Sequence, residues 1–265
     1  MSREFFQHRE TRPLFDQLEE ISQRSGVSRG VAFEDFLHAS VCALGHPLME
    51  EEYLKMIEKH SKGERGKRGA DTMAEMFGNV VGIVEKTRAD VLGDLFQGAI
   101  TYGERGQFLT PEPICDMMAQ MNVPPAELDD DGDPICDLET RRTVNDPCCG
   151  SGRMLLAVGK VHPHWHFVGQ DVDLRCVRMT AINLALRNHY GHVVHGNSLT
   201  VTNELTYEPG RVQVYGNAIR KTARNPILDR GNQQPQQVIA KPAPPSDATT
   251  SSLAGDGEAG QLELF

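Results

Sequence analysis

The chain has 265 residues, 39% hydrophobic and 24% charged, with a formal net charge of -10. That length suits one sizeable domain with at most a small companion, and the acidic balance excludes a protein that coats nucleic acid non-specifically, so any DNA contact must be focused on a local patch. No apolar run approaches the ~20 residues of a membrane span and the segment 1–10 has no apolar signal core, so the expectation is a cytoplasmic protein without a membrane partner.

Residues 1–100 read as a helical region. Phe15, Leu18 and Ile21 fall on one face of a first helix. Phe33, Phe36, Leu37, Val41 and Leu44 mark a second, with Ser28 as its cap. Leu54, Met56 and Ile57 predict a short third helix. Met73, Met76, Phe77, Val80, Val81 and Val84 open a longer one, which Val91, Leu92, Leu95 and Phe96 continue. Between the third and fourth lies the most basic segment of the chain, with Lys62, Arg65, Lys67 and Arg68 among three glycines. It reads either as a solvated loop or as a phosphate contact on DNA.

The pattern changes from Thr110. A helix over 111–121 is followed by an acidic loop, 127–139, whose spacing does not match a calcium loop of the EF-hand kind. The six cysteines include no Cys-x-x-Cys pair, so no metal site is expected. Adjacent Cys148 and Cys149 read as reduced thiols. Strands over 143–147, 167–172, 192–196 and 212–216 alternate with helices over 154–161 and 174–188. That alternation predicts an α/β domain over 101–228 with a mostly parallel, doubly wound Rossmann-like sheet. Residues 229–260 are rich in Gln, Pro, Ala, Ser, Thr and Gly and read as a disordered linker, before an abruptly apolar end at 261–265.

In a doubly wound sheet, ligands bind at the carboxyl ends of the strands. The first strand ends at Asp146, and the turn after it, Asp146-Pro147-Cys148-Cys149-Gly150-Ser151-Gly152, lets the backbone approach a ligand closely. It is neither Gly-x-Gly-x-x-Gly nor a P-loop, and a carboxylate at the strand end suits a cationic group such as an amino acid's amine. Asp171 ends the second strand at close to the offset where such folds place an acid on ribose hydroxyls. Asn197 and Ser198 follow the third, where an amide can recognise the edge of an adenine ring. Together these positions describe a site for a nucleoside joined to an amino acid.

The same turn resembles the first motif of adenine-N6 DNA methyltransferases, particularly the modification subunits of type I restriction systems. Gly106-Gln107-Phe108-Leu109-Thr110-Pro111 resembles the motif that flanks the methionine end of their cofactor. Residues 169–184, with Arg178, Met179 and Asn183, resemble the second motif and its helix. Residues 196–199 resemble the third, with Asn197 where the family usually has Asp. Ala89 to Leu95 looks like the helical lead-in of those subunits. The resemblance implies S-adenosylmethionine as cofactor, held by Phe108, Thr110, Pro111, Asp146, Pro147, Cys149, Gly150, Ser151, Gly152, Asp171, Asn197 and Ser198.

It also implies an Asn/Asp-Pro-Pro-aromatic loop after the fourth strand, which holds the extruded adenine. Here that place is taken by Asn217-Ala218-Ile219-Arg220, with Asn217 in register; Asn225-Pro226-Ile227-Leu228 keeps only Asn225 and Pro226. The family's three further strands have no counterpart before the linker. A shortened sheet with a bare fourth strand is therefore expected, covered by the N-terminal helices or a completing or specificity subunit. Two functions follow: DNA adenine-N6 methylation, or a catalytically inactive cofactor-binding regulator, anti-restriction factor or partner subunit. Finally, Gln261-Leu262-Glu263-Leu264-Phe265 resembles the peptide that bacterial DNA-processing proteins insert into the replication sliding clamp, with Gln261, Leu262, Leu264 and Phe265 as the contacts. That would bring a cytoplasmic protein to the nucleoid.

Overall fold

The computed structural model describes residues 6–101, 107–132, 134–135, 141–210 and 218–223. Helix α1 (Thr11–Ser25) buries Leu14, Phe15, Leu18 and Ile21 on one stripe and ends at Gly26, whose φ of 66° closes the helix in the left-handed region. Its main neighbour is α4 (Gly69–Thr87), which turns Met73, Met76, Val80 and Val84 inward. Helix α2 (Arg29–Leu44) starts at Ser28, whose side chain accepts from Val31 N, and is followed by the short α3 (Glu50–Ile57).

The long helix expected through Phe96 is interrupted. Arg88 adopts φ 59° and closes α4, and Asp90 then caps a new helix, α5 (Val91–Leu95), by accepting from Gly93 N at 3.0 Å. A π-helical turn, Phe96–Thr101, completes this segment. Apolar periodicity runs across the break because both pieces face the same core.

The sheet has five strands in the order β1-β2-β3-β4-β5: β1 (Thr143–Asp146), β2 (His166–Asp171), β3 (Gly191–His195), β4 (Leu205–Pro209) and β5 (Ile219–Thr222). β1 to β3 are parallel and are joined by α7 (Arg153–Val161) and α8 (Leu174–Leu186). β4 and β5 are antiparallel additions to β3. The sheet is therefore mixed and small, consistent with a Rossmann-like methyltransferase fold, and not the mostly parallel sheet expected. The physical reason is the connection: only residues 196–204 join β3 to β4, fewer than the dozen or so that a parallel crossover needs. The segment 212–216, read above as the fourth strand, lies outside the described residues, as do 229–265.

Right-handed crossovers place α7 and α8 on one face of the sheet. Val144, Phe167, Val193, Tyr207 and Ile219 join the apolar cluster beneath them. The alternating positions on the other face include the buried polar residues Gln170, His192, Thr206 and Glu208. β5 meets the N-terminal helices, since Ala218 N donates to Leu44 O and Lys221 pairs with Glu52. β1 and β5 are thus the two edge strands among the described residues, and β5 is the one that meets the N-terminal helices.

A Cβ placed on Gly191, at the start of β3, would lie 1.8 Å from the Phe167 carbonyl oxygen, a backbone atom with no freedom to move. Gly191→Ala is expected to cost about 3 kcal/mol, the upper range for overpacking, and so to lower Tm by roughly 6–12 °C in a thermal melt.

Candidate cofactor site

At the carboxyl ends of β1 and β2 lies a cavity of about 400 Å³. Its wall contains Phe108, Thr110, Asp146, Pro147, Cys149, Gly150, Ser151 and Asp171 from the expected set, joined by Phe96, Gln107, Leu109, Cys115, Cys148, Arg153, Met154 and Cys176. Pro111 precedes α6 (Glu112–Asn122) and Gly152 caps α7, both just outside the wall. Asn197 and Ser198 are not part of it. The Asn197 side-chain oxygen accepts from Leu199 N at 2.9 Å and so shapes its own turn. Asn217, Asn225, Pro226, Gln261, Leu262, Leu264 and Phe265 lie outside the described residues.

The glycine-rich turn is fixed from several sides. Gly150 and Gly152 have φ of 55° and 89°, in the left-handed region that side chains avoid. Gly150 N donates to Asp171 Oδ2 at 2.9 Å, and Gly150 O accepts from Thr180 Oγ1 at 2.9 Å. Leu109 lies over Gly150 so closely that a Cβ there would meet its Cδ2 at 2.6 Å. The segment 107–110 is therefore the lid of the turn, and Phe108 remains 71% exposed at the mouth.

The electrostatics of the cavity are unusual. Burial pushes Asp146 up to about 6; the Cys148 N–H opposes this, while the charge of Asp171 adds to it. Burial also raises Asp171, against the backbone N–H groups of Asp173, Gly150 and Val172. Neither carboxylate meets a cationic side chain among the described residues. Two desolvated acids are thus held ready for an external cation and for hydroxyl donors. Cys149 is a buried thiol that burial and the two acids keep protonated, so it lines the cavity without nucleophilic character.

A second cavity of about 560 Å³ adjoins the first through Gln107, and is lined by Glu34, Thr101, Val172, Asp173 and Arg175 among others. Gln107 Nε2 donates to Asp173 Oδ2 at 3.2 Å and Asp173 is paired with Arg175, so the wall between the cavities is polar and pinned.

The sequence reading assigned no role to Asp90, although it noted the segment around it. Asp90 is 2% exposed and lies directly behind the turn, bonded to Ser151, Arg153 and Asn183. The local signal was present: Asp before an apolar run, with Gly93 three positions on, is a capping pattern. Its long-range partners were not visible.

Elsewhere, His38, Cys42 and Glu52 bring three ligand-type atoms within 4.8 Å of one another. Lys221 is bonded to Glu52, and burial, with the charges of Arg178 and Lys221 added to it, depresses His38, so two cations already oppose a metal ion there. No helix among the described residues is long and apolar enough to cross a membrane.

No curated protein matches the chain. The family model described as N-6 DNA Methylase matches residues 87–216, a stretch that runs from the lead-in helix through the glycine-rich turn and past β4. Over residues 87–216, just under half of its length, the chain is thus similar to the N-6 DNA methylase family.

Proposed function

We propose that the chain binds S-adenosylmethionine in the cavity under the glycine-rich turn and serves the N6-methylation of adenine in DNA, as a methylase or methylase subunit. The observation that carries this is the pair of buried acids, Asp146 and Asp171, which meet no cationic side chain among the described residues, in a segment that matches a methylase family model. The residues fit the group. Asp146 suits the cofactor's amino-acid ammonium, Asp171 suits ribose hydroxyls, and the turn at 149–152 admits close backbone approach. When bound, the cofactor supplies an electrophilic methyl group. The chain's own contribution is orientation and exclusion of water, with Leu109 packed over the turn.

For the target base, the described ends of β5 favour one candidate. Ala218 lies at the amino-terminal end of the parallel strands, beside Gly210. Thr222 pairs with Thr206 at the carboxyl-terminal end, where the cavity opens. Asn225 and Pro226 follow Thr222 in sequence, so we favour them over Asn217 as the base-holding pair. Lys62 and Arg65 have no ion pair among the described residues and are our candidates for contacts to DNA phosphates, whereas Lys67 and Arg68 are paired with Glu64 and Asp71.

Among the described residues no strand pairs with the outer edge of β1, beside Asp146, which supports the second reading, in which a completing subunit is needed or the chain is a cofactor-binding regulator. One preparation decides between them. Calorimetry with S-adenosylmethionine is expected to show one site, and labelled cofactor with DNA is expected to yield N6-methyladenine on nucleoside analysis. Binding without product would select the regulator or partner-subunit reading; no binding would sink both. For the segment 261–265 we propose sliding-clamp docking. Deleting these residues is expected to abolish clamp binding in a titration with purified clamp and to leave cofactor affinity unchanged.

A further inference from the structure

We propose that Asp90 is a positioning residue for the cofactor turn, and that through it the lead-in helix forms part of the binding site. This rests on the cofactor reading given above. Asp90 Oδ2 accepts from Ser151 Oγ at 2.5 Å and from Arg153 Nε at 2.8 Å. Its Oδ1 accepts from Gly93 N at 3.0 Å and from Asn183 Nδ2 at 2.8 Å. Asn183 Nδ2 donates as well to Ser151 O at 2.9 Å. One carboxylate thus ties α5, the glycine-rich turn, the start of α7 and the middle of α8.

The ties extend to the lid. Arg153 Nη1 donates to Thr110 O at 3.2 Å, so the same guanidinium that binds Asp90 holds the segment over Gly150. Arg187 Nη2 donates to the carbonyls of Arg88 and Ala89, both at 2.9 Å, which fixes the break from which Asp90 projects. The space is closed: a Cβ on Gly93 would meet Asp90 Oδ2 at 2.1 Å and Ser151 Oγ at 2.5 Å.

Burial alone would raise Asp90, yet Arg153, Ser151 and Gly93 hold it below the usual carboxylate range, so the group is a charged hub. A buried ion pair adds little stability over a well-packed apolar pair, because desolvation offsets the attraction. What it adds is a fixed geometry, enforced by four directed bonds. Here that geometry sets where Ser151 and the backbone of 149–152 stand relative to Asp146 and Asp171.

The test compares Asp90→Asn and Asn183→Ala with Leu18→Ala, a core truncation in α1 that is 0% exposed and does not line the cavity. Each full-length variant is titrated with S-adenosylmethionine at a temperature where circular dichroism shows it folded, and amide hydrogen exchange over residues 149–153 is followed without cofactor. Asp90→Asn is expected to weaken binding about tenfold or more, the scale of a sub-ångström misplacement, and to speed exchange in the turn. Asn183→Ala is expected to shift both in the same direction and by less. Leu18→Ala is expected to lower Tm while leaving affinity and turn exchange near wild type. Unchanged exchange in the turn of Asp90→Asn and Asn183→Ala would overturn the proposal, as would wild-type affinity in both. Failure of the wild-type chain to bind cofactor would instead sink the cofactor reading, and the exchange data would still decide the role of Asp90. Should Asp90→Asn not fold, Asn183→Ala decides it alone.

Discussion

Asp146→Asn is expected to stabilise the protein and weaken its cofactor binding at the same time. Burial pushes Asp146 up to about 6 in the folded chain, against an ordinary value of 3.8. The folded state therefore holds a proton that the unfolded state has already released. The favourable contribution is complete below pH 3.8 and is lost as pH rises through 6, which leaves a penalty of roughly 3 kcal/mol at pH 7. Asn removes the penalty and keeps an acceptor for Cys148 N, now 3.1 Å from Oδ1. Tm at pH 7 should rise by roughly 6–12 °C, with the difference from wild type vanishing near pH 4. On the proposed function, cofactor binding needs the ionised acid. Wild-type affinity should fall about tenfold from pH 7 to pH 5, as protonation removes the partner of the cofactor's ammonium, and the variant should bind weakly and evenly across that range. Thermal melts from pH 4 to pH 8 and calorimetric titrations at three pH values check both. A lower Tm for Asp146→Asn at pH 7, or a flat wild-type affinity profile, would contradict the assignment.

Burial raises the neighbouring acid as well, but its hydrogen bonds to the turn should outweigh the relief of removing its charge. Asp171 Oδ2 accepts from Gly150 N and Oδ1 from Asp173 N, each at 2.9 Å, so both oxygens face backbone donors. In Asp171→Asn one of those N–H groups must face an NH2 group. The isosteric change therefore leaves a donor unsatisfied and releases one side of the turn. A loss of about 1–3 kcal/mol of stability is expected, together with about a hundredfold loss of affinity, since charged hydrogen bonds to two ribose hydroxyls disappear. Asp171→Ala should be no worse than Asp171→Asn. The measurement is a denaturant melt with a cofactor titration for both variants. Near-wild-type binding by Asp171→Asn would show that the carboxylate does not carry the ribose contact. Two acids in one cavity thus differ because one backbone N–H faces Asp146 and three face Asp171.

Much of this site was legible in sequence because its signals are local. Apolar stripes set α1 and α2, and strand–turn–helix alternation set β1, β2 and β3 to within a residue or two. Eight of the twelve expected cofactor residues line one cavity, since they follow directly on the ends of β1 and β2 or lie in the lid. What was missed is tertiary or depends on backbone conformation. The break at Arg88 leaves the apolar pattern undisturbed, so periodicity could not reveal it. β4 ends in Pro209, a residue that argues against a strand, yet the strand survives because it ends there. The partners of Asp90 were beyond any local pattern.

The span of that network has a bearing on how the chain is made. Asp94, in the same segment, meets its partners in residues 7–11, which leave the ribosome before it. Asp90 cannot be satisfied so early: Ser151 and Arg153 come some sixty positions later, and Asn183 is separated from it by 93 residues. At 5–20 residues per second, roughly 5–20 s pass between the synthesis of the acid and that of its last partner. Throughout that interval the N-terminal helices can assemble around α1 and α4, while the seam that will close on the turn stays wet. Slowing translation between codons 90 and 183 should therefore lengthen the life of a half-built nascent chain, detectable as protease sensitivity in the segment 88–101.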